Sequence, residues 1–186
     1  MKNLLAWAFS LVVIFLISCQ TDVSTKVTTD GDMKPDSTVA TTSPAEFADQ
    51  KYASVVRNAL GSLSSGDIPA FTSSFADNAV YAWNYGDSLA GKQAITEYWT
   101  KRRADVIETL EFSDMITLPL KVNTPQSVER TGVWVLTWHQ TDAKYKPTGK
   151  SMTQWIHSTI HFDANDKIDR WIQYVDRQLI AEAMTK

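Results

Sequence analysis

The stretch SGDIPAFTSSFADNAV, residues 65–80, decides how the chain passes from helix to strand. Asp67 is a suitable N-cap for a short helix over Ile68–Phe75, because its carboxylate can accept a hydrogen bond from a free backbone N–H of the first turn. The next segment, AVYAWNYG at residues 79–86, is apolar and aromatic and favours a strand. The stretch therefore predicts a short helix that leads directly into a strand.

Two longer helices are predicted on either side of this stretch. Upstream, Ser43-Pro44-Ala45-Glu46 has a capping serine, a proline at the first helical position and a glutamate at the third, which predicts a helix that begins there and ends at Ser64-Ser65-Gly66. Downstream, Lys92–Ala104 follows Gly91 and places Ile95 and Trp99 on one face.

Beyond residue 106 the sequence is rich in β-branched and aromatic residues, which predicts strands. Four segments qualify: Glu108–Leu118, Ser127–Thr141, Ser151–Phe162 and Ile168–Asp176. The turn residues 163–166 make the last two an antiparallel hairpin, and a helical ending fits after Arg177. Helices followed by strands predict an α+β domain over residues 45–186, with a sheet that bends over three N-terminal helices.

Several motifs in this order resemble the SnoaL-like branch of the nuclear transport factor 2-like superfamily. They are SGDIPAF (65–71), FADNAV (75–80), GKQAI (91–95), and DKI at 166–168 followed by Arg170-Trp171 and Tyr174-Val175-Asp176. The resemblance covers residues 46–177 and implies a curved, antiparallel or mixed sheet that forms a cone with three helices around an apolar pocket. Members often form dimers through the outer face of the sheet, so a homodimer is expected.

This superfamily contains isomerases, cyclases, hydrolases, dehydratases and domains that only bind, so the fold alone does not identify an activity. In the ketosteroid isomerases a carboxylate near the end of the first strand is the base, and the matching position here is Trp83, followed by Asn84. The isomerase acid falls near Ser158, and the cyclase aspartate falls on Gln173. All of these residues are uncharged.

Two other residues remain candidates for acid or base catalysis. Asp176 is either a catalytic carboxylate or a solvated or arginine-paired strand end. His139 either reaches the pocket or lies on the outer face, and strand alternation places it opposite Trp134, Leu136 and Trp138. His157 and His161 are four residues apart, about 13 Å along a strand, which is too far for one metal ion. No metal and no cofactor are predicted.

Aromatic residues supply the remaining signal. Core packing alone can account for most of the six domain tryptophans, but rings at the mouth of a cone also suit a flat apolar ligand. The predicted ligand-binding residues are Tyr81, Trp83, Trp99, Trp134, Trp138, Trp171, Gln173 and Tyr174.

The N-terminal region predicts an exported, lipid-anchored protein. Lys2 precedes an apolar run that ends in Leu16-Ile17-Ser18-Cys19, which resembles a lipobox, so residues 1–18 form a lipoprotein signal peptide and Cys19 is lipidated. Gln20 at the second mature position indicates sorting to the outer membrane, on its periplasmic or surface side. Residues 19–44 then form a disordered tether, because they contain almost nothing apolar to bury.

The formal charge of −3 and the lack of a basic stripe argue against nucleic-acid partners, and membrane contact is expected through the lipid anchor alone. Two functions remain open. The first is an envelope domain that binds a small hydrophobic or aromatic molecule. The second is an isomerase, cyclase or hydrolase that uses Asp176 or His139.

Overall fold

Four helices and seven strands make up the part of the chain that the computed structural model describes, residues 43–125 and 130–186. In chain order they are β1 (Ala45–Phe47), α1 (Gln50–Ser65), α2 (Ile68–Ser73), β2 (Phe75–Trp83), β3 (Ser88–Ala90), α3 (Lys92–Lys101), β4 (Ile107–Val122), β5 (Gly132–Tyr145), β6 (Ser151–Phe162), β7 (Ile168–Tyr174) and α4 (Arg177–Met184). Among the described residues, no helix is long and apolar enough to cross a membrane. The predicted signal peptide, Cys19 and almost all of the predicted tether lie outside the described residues.

The seven strands form one curved sheet in the order β1-β4-β5-β6-β7-β2-β3. β2 and β7 are parallel, and every other described pair is antiparallel. The turn at residues 163–166 joins β6 to β7 as predicted. The predicted α+β class with a curved sheet on three helices is confirmed.

The prediction for the start of the first helix is wrong. Ala45–Phe47 is an edge strand paired with β4, and α1 begins at Gln50 behind Asp49, which accepts a hydrogen bond from the Lys51 amide at 2.8 Å. Backbone groups of Ala45–Phe47 form hydrogen bonds with β4, so these residues do not need the hydrogen bonds of the predicted capping box. The Glu46 carboxylate instead accepts a hydrogen bond from Lys121 Nζ at 3.1 Å.

The predicted end of α1 and the predicted start of α2 are close to those in the structure. α1 ends at Ser65, and Gly66 follows as its C-cap with a φ of 83°, a value that favours glycine. Asp67 caps α2 by accepting a hydrogen bond from the Ala70 amide at 3.0 Å. α2 is shorter than predicted because Phe75 already belongs to the sheet. α3 ends at Lys101 and continues into one π-helical turn, Arg102–Val106.

The helices α1 to α3 cover one side of the sheet, which we call the inner face. On β5, Val135, Thr137 and His139 point to this face and are fully buried, while alternate residues such as Leu136 point to the outer face. Leu60, Phe71 and Ile95 from the three helices complete the core against Tyr81 and Trp171. This core closes one part of the inner face, and a cavity lies beside it.

Candidate ligand cavity

A cavity of about 460 Å³ lies between the inner face of the sheet and the helices. This volume is within the range of about 300 to 1,000 Å³ that small-molecule sites occupy. α1, α3 and α4 all contribute to the wall, together with β2, β4, β5, β6 and β7. Its apolar residues include Leu60, Leu63, Ile107, Leu110, Phe112, Ala143, Met152, Ile156, Val175 and Ile180.

Aromatic rings form one side of the cavity. Tyr81 and Trp83 are two residues apart on β2 and therefore point to the same face, with their ring centroids 5.0 Å apart. Tyr98 of α3 lies 5.2 Å from Trp83 and 5.3 Å from Trp99. Because these rings pack against one another, they form a continuous aromatic surface that suits a flat apolar molecule.

Gln173 supplies a neutral polar group in the wall. Its Oε1 accepts hydrogen bonds from the Tyr81 hydroxyl at 2.9 Å and from Trp83 Nε1 at 3.2 Å. The indole N–H can only donate, so it fixes the amide with the oxygen toward Trp83. The amide nitrogen of Gln173 donates to no residue that the structure describes, and it is therefore available to a ligand acceptor.

The phenols in the wall are held in their neutral form. Burial raises the pKa of Tyr81 well above its ordinary value and also raises the pKa of Tyr98 and of Tyr145, while the positive charge of Arg102 opposes each increase. Neutral phenols can donate hydrogen bonds but carry no charge into the cavity. These three tyrosines therefore add no charge to the cavity wall.

Three charged side chains stand at the rim of the cavity: Asp87, Arg102 and Arg177. Arg177 pairs with Asp87 and lies over the Tyr85 ring, with its guanidinium carbon 4.7 Å from the centroid. Arg102 lies over the Tyr98 ring at 5.6 Å and forms no ion pair with any described residue. Asp87 is the one carboxylate among the described lining residues.

The two predicted acid–base residues do not reach the cavity wall. Asp176 is the exposed N-cap of α4, where its carboxylate accepts a hydrogen bond from the Gln178 amide at 2.8 Å. His139 points to the inner face but is fully buried behind Phe112, whose ring centroid is 4.9 Å away. Its Nδ1 lies 3.0 Å from Thr141 Oγ1, and burial lowers its pKa to about 4, so the ring is neutral near pH 7.

The predicted ligand-binding residues divide between the two faces of the sheet. Tyr81, Trp83, Trp99 and Gln173 line the cavity. Trp134, Trp138 and Tyr174 do not, because strand alternation turns them to the outer face, where Tyr174 is 43% exposed. Trp171 is on the inner face but is buried in the core, stacked on Phe75 and Tyr81 at 5.9 and 5.7 Å.

The outer-face histidines have partners of their own. His157 Nδ1 lies 3.0 Å from the Thr137 carbonyl, and its ring stacks on Trp138 at 4.7 Å. His161 Nδ1 lies 2.5 Å from a carboxylate oxygen of Asp169. Among the described residues, no group of three or more potential metal ligands is present.

Sequence reasoning missed several residues of the wall, notably Tyr98, Arg102, Phe112 and Tyr145. Tyr98 could have been found, since it adjoins Trp99 in a predicted helix. Arg102 and Arg177 could not, because they reach the rim only when the π-helical turn and α4 have packed against the sheet.

Comparison with known proteins agrees with this architecture. Residues 56–171 match the family model of the SnoaL-like domain. No curated protein sequence matches the chain.

Three solved structures illustrate the similarity in fold. A provisionally named polyketide cyclase of Xanthomonas campestris is 14% identical, with 73% of this chain and 98% of that chain covered and a TM-score of 0.60. An LEH-like epoxide hydrolase of M. tuberculosis is 16% identical, with 73% and 90% covered and a TM-score of 0.54. An NTF2-like protein of unknown function from Burkholderia pseudomallei is 12% identical, with 73% and 98% covered and a TM-score of 0.56.

These identities are low enough that the solved structures support the fold and not an activity. The family model covers more than half of the chain, including α2, β2 and α3, which carry the sequence motifs. The chain therefore belongs to the SnoaL-like domain family of the nuclear transport factor 2-like superfamily.

Proposed function

We propose that this domain binds a small hydrophobic or aromatic molecule in its cavity, and that lipidation of Cys19 anchors it at the bacterial cell envelope, facing the periplasm or the cell surface. The observation that carries the binding function is the cavity itself, about 460 Å³ with a wall of aromatic and aliphatic side chains. Gln173 provides a fixed amide for orientation, as expected of a site that binds by shape with few polar contacts.

The alternative function, an isomerase, cyclase or hydrolase, would need a proton acceptor in the cavity. Asp176 is occupied as a helix cap, and His139 is separated from the cavity by its neighbours. Asp87 lines the rim but is paired with Arg177. A binding role without turnover therefore fits these positions better than acid–base catalysis does.

The binding proposal is tested by filling the cavity. Titration of the full chain with neutral aromatic molecules should quench tryptophan fluorescence and raise the melting temperature. Ala143→Phe places a ring in the cavity and should abolish both effects, whereas the control Thr159→Phe on the outer face should retain them. Silence of the parent across a broad apolar library would reject the proposal, and so would equal responses of the two variants.

The catalytic alternative has its own test. Proton exchange and ring closure are assayed on a panel of ketones with the parent and with Asp176→Asn and His139→Ala. We expect no turnover by the parent. Turnover that either substitution abolishes would overturn the binding-only proposal.

The anchor is tested separately with Cys19→Ser. The parent should be processed before Cys19 and should partition into detergent, and the variant should do neither. Identical processing and partitioning of the two proteins would reject lipidation and leave the binding proposal intact.

A further inference from the structure

The rim of the cavity carries an unbalanced positive charge. Asp87 and Arg177 neutralise each other, while Arg102 has no carboxylate partner among the described residues. The other lining residues are neutral, so the described cavity presents a net charge of about +1 to an entering molecule. A cation beside apolar walls attracts an anion more strongly than it would in open water, since low-dielectric surroundings screen the charge less.

The backbone that carries Arg102 is held from two sides. The neighbouring Arg103 donates to the Ser64 carbonyl of α1 at 2.9 Å. Lys146 Nζ donates to the carbonyls of Arg103 and Ala104 at 3.0 and 2.5 Å. π-Helical turns are often found at functional sites, and the contacts that fix this one do not involve the Arg102 guanidinium, which contacts the Tyr98 side chain and no described carboxylate.

Arg102 is part of the cavity wall, and its guanidinium contacts another residue of that wall. It lies 5.6 Å from the centroid of the Tyr98 ring, which itself lines the cavity. The charge of Arg102 also lowers the pKa of Tyr81, Tyr98 and Tyr145, three phenols of the wall, against the larger effect of burial. Its field therefore extends into the space that a ligand would occupy.

We propose that the bound molecule is an amphipathic organic acid, with its apolar body in the cavity and one carboxylate paired with the Arg102 guanidinium. This inference rests on the proposed binding function and narrows its ligand class. Arginine suits the role because its planar guanidinium can donate two parallel hydrogen bonds to one carboxylate and cannot lose its charge near neutral pH.

Two probes of nearly the same shape test the inference, biphenyl-4-carboxylate and the neutral biphenyl-4-carboxamide. Isothermal titration calorimetry with the full chain gives both dissociation constants for the parent, Arg102→Met and Arg102→Lys. Lys101→Met is the matched control, because Lys101 is exposed, adjacent in sequence and not part of the cavity wall.

We expect Arg102→Met to weaken binding of the carboxylate at least ten-fold and binding of the amide less than two-fold. Arg102→Lys should recover part of the loss, and Lys101→Met should leave both probes within two-fold of the parent. Raising the salt concentration from 50 to 500 mM should weaken only the carboxylate.

Each other outcome is decisive. If Arg102→Met leaves the carboxylate unchanged, or weakens both probes equally, the anion inference is rejected while the binding function stands. A parent that binds the amide and not the carboxylate rejects it as well. If the parent binds neither probe nor any molecule of the apolar library, the binding function itself fails.

Discussion

The inner and outer faces of the sheet are both rich in aromatic residues, but the two faces use them differently. On the inner face, Tyr81, Trp83 and Trp99 surround a cavity, and Trp171 closes the core beside it. On the outer face, cross-strand neighbours form an open row that consists of Ile116, Trp138, His157 and Tyr174. An aromatic residue in a strand therefore indicates a function only when its face is known, because a shift of one residue reverses the face.

The largest difference between the two faces is expected in stability. Trp171→Ala removes a ring that is 1% exposed and stacked on two others, so it should lower the free energy of unfolding by about 3–5 kcal/mol. Trp155→Ala, at an outer-face residue that is 57% exposed, should change it by less than about 0.5 kcal/mol. Urea unfolding of the full chain measures both, and equal losses would contradict the assignment of faces.

The boundaries of α1 and α2 show which parts of the fold the sequence can predict and which it cannot. Gly66 and Asp67 are local signals, and they correctly located the end of α1 and the start of α2. Ser43 and Glu46 are equally local signals that failed, because pairing between β1 and β4 depends on a strand about 75 residues further along the chain. Local chemistry defines an element only where no distant partner competes for its backbone.

Only part of the candidate site can be predicted from the sequence, because some of its residues depend on contacts between distant parts of the chain. Tyr81, Trp83 and Gln173 could be placed because the family motifs fix the positions of β2 and β7. The prediction that Trp134 and Trp138 line the cavity rests on residue type alone, although strand alternation places both of them opposite His139. The rim was not predictable, since α4 and the π-helical turn meet there only in the folded chain.

The buried imidazole of His139 should make stability depend on pH. Its pKa is about 4 in the folded protein and about 6.5 when unfolded, so between these values the unfolded chain binds the proton more readily. Stability is then complete above pH 6.5 and falls as the pH decreases toward 4, by up to about 3 kcal/mol from this residue. Urea unfolding at pH 7, 5.5 and 4 should show a smaller loss for His139→Asn than for the parent. Parallel curves would exclude an effect of His139.

Substitution of a polar residue should also lower the free energy of unfolding more on the inner face than on the outer face, but by a smaller amount. Gln173→Leu keeps the volume but leaves the Tyr81 hydroxyl and Trp83 Nε1 without their acceptor, which should cost about 1–3 kcal/mol. Gln140→Leu, at a half-buried outer-face position, should change the free energy of unfolding by less than about 0.5 kcal/mol. Thermal unfolding of both variants tests this, and a neutral Gln173→Leu would mean that the amide does not satisfy those donors.

The smallest effect concerns the outer row and the predicted homodimer. His157 and Tyr174 are stacked with centroids 5.3 Å apart, and a double-mutant cycle of His157→Ala and Tyr174→Ala should give a coupling of about 0.5–1.5 kcal/mol. If a second copy covers this face, Tyr174→Ala should also shift sedimentation toward the monomer, and the stability of the parent should rise with protein concentration. A parent that sediments as a monomer at all concentrations, with the coupling unchanged, would exclude the homodimer and leave the outer row as a surface feature of the single chain.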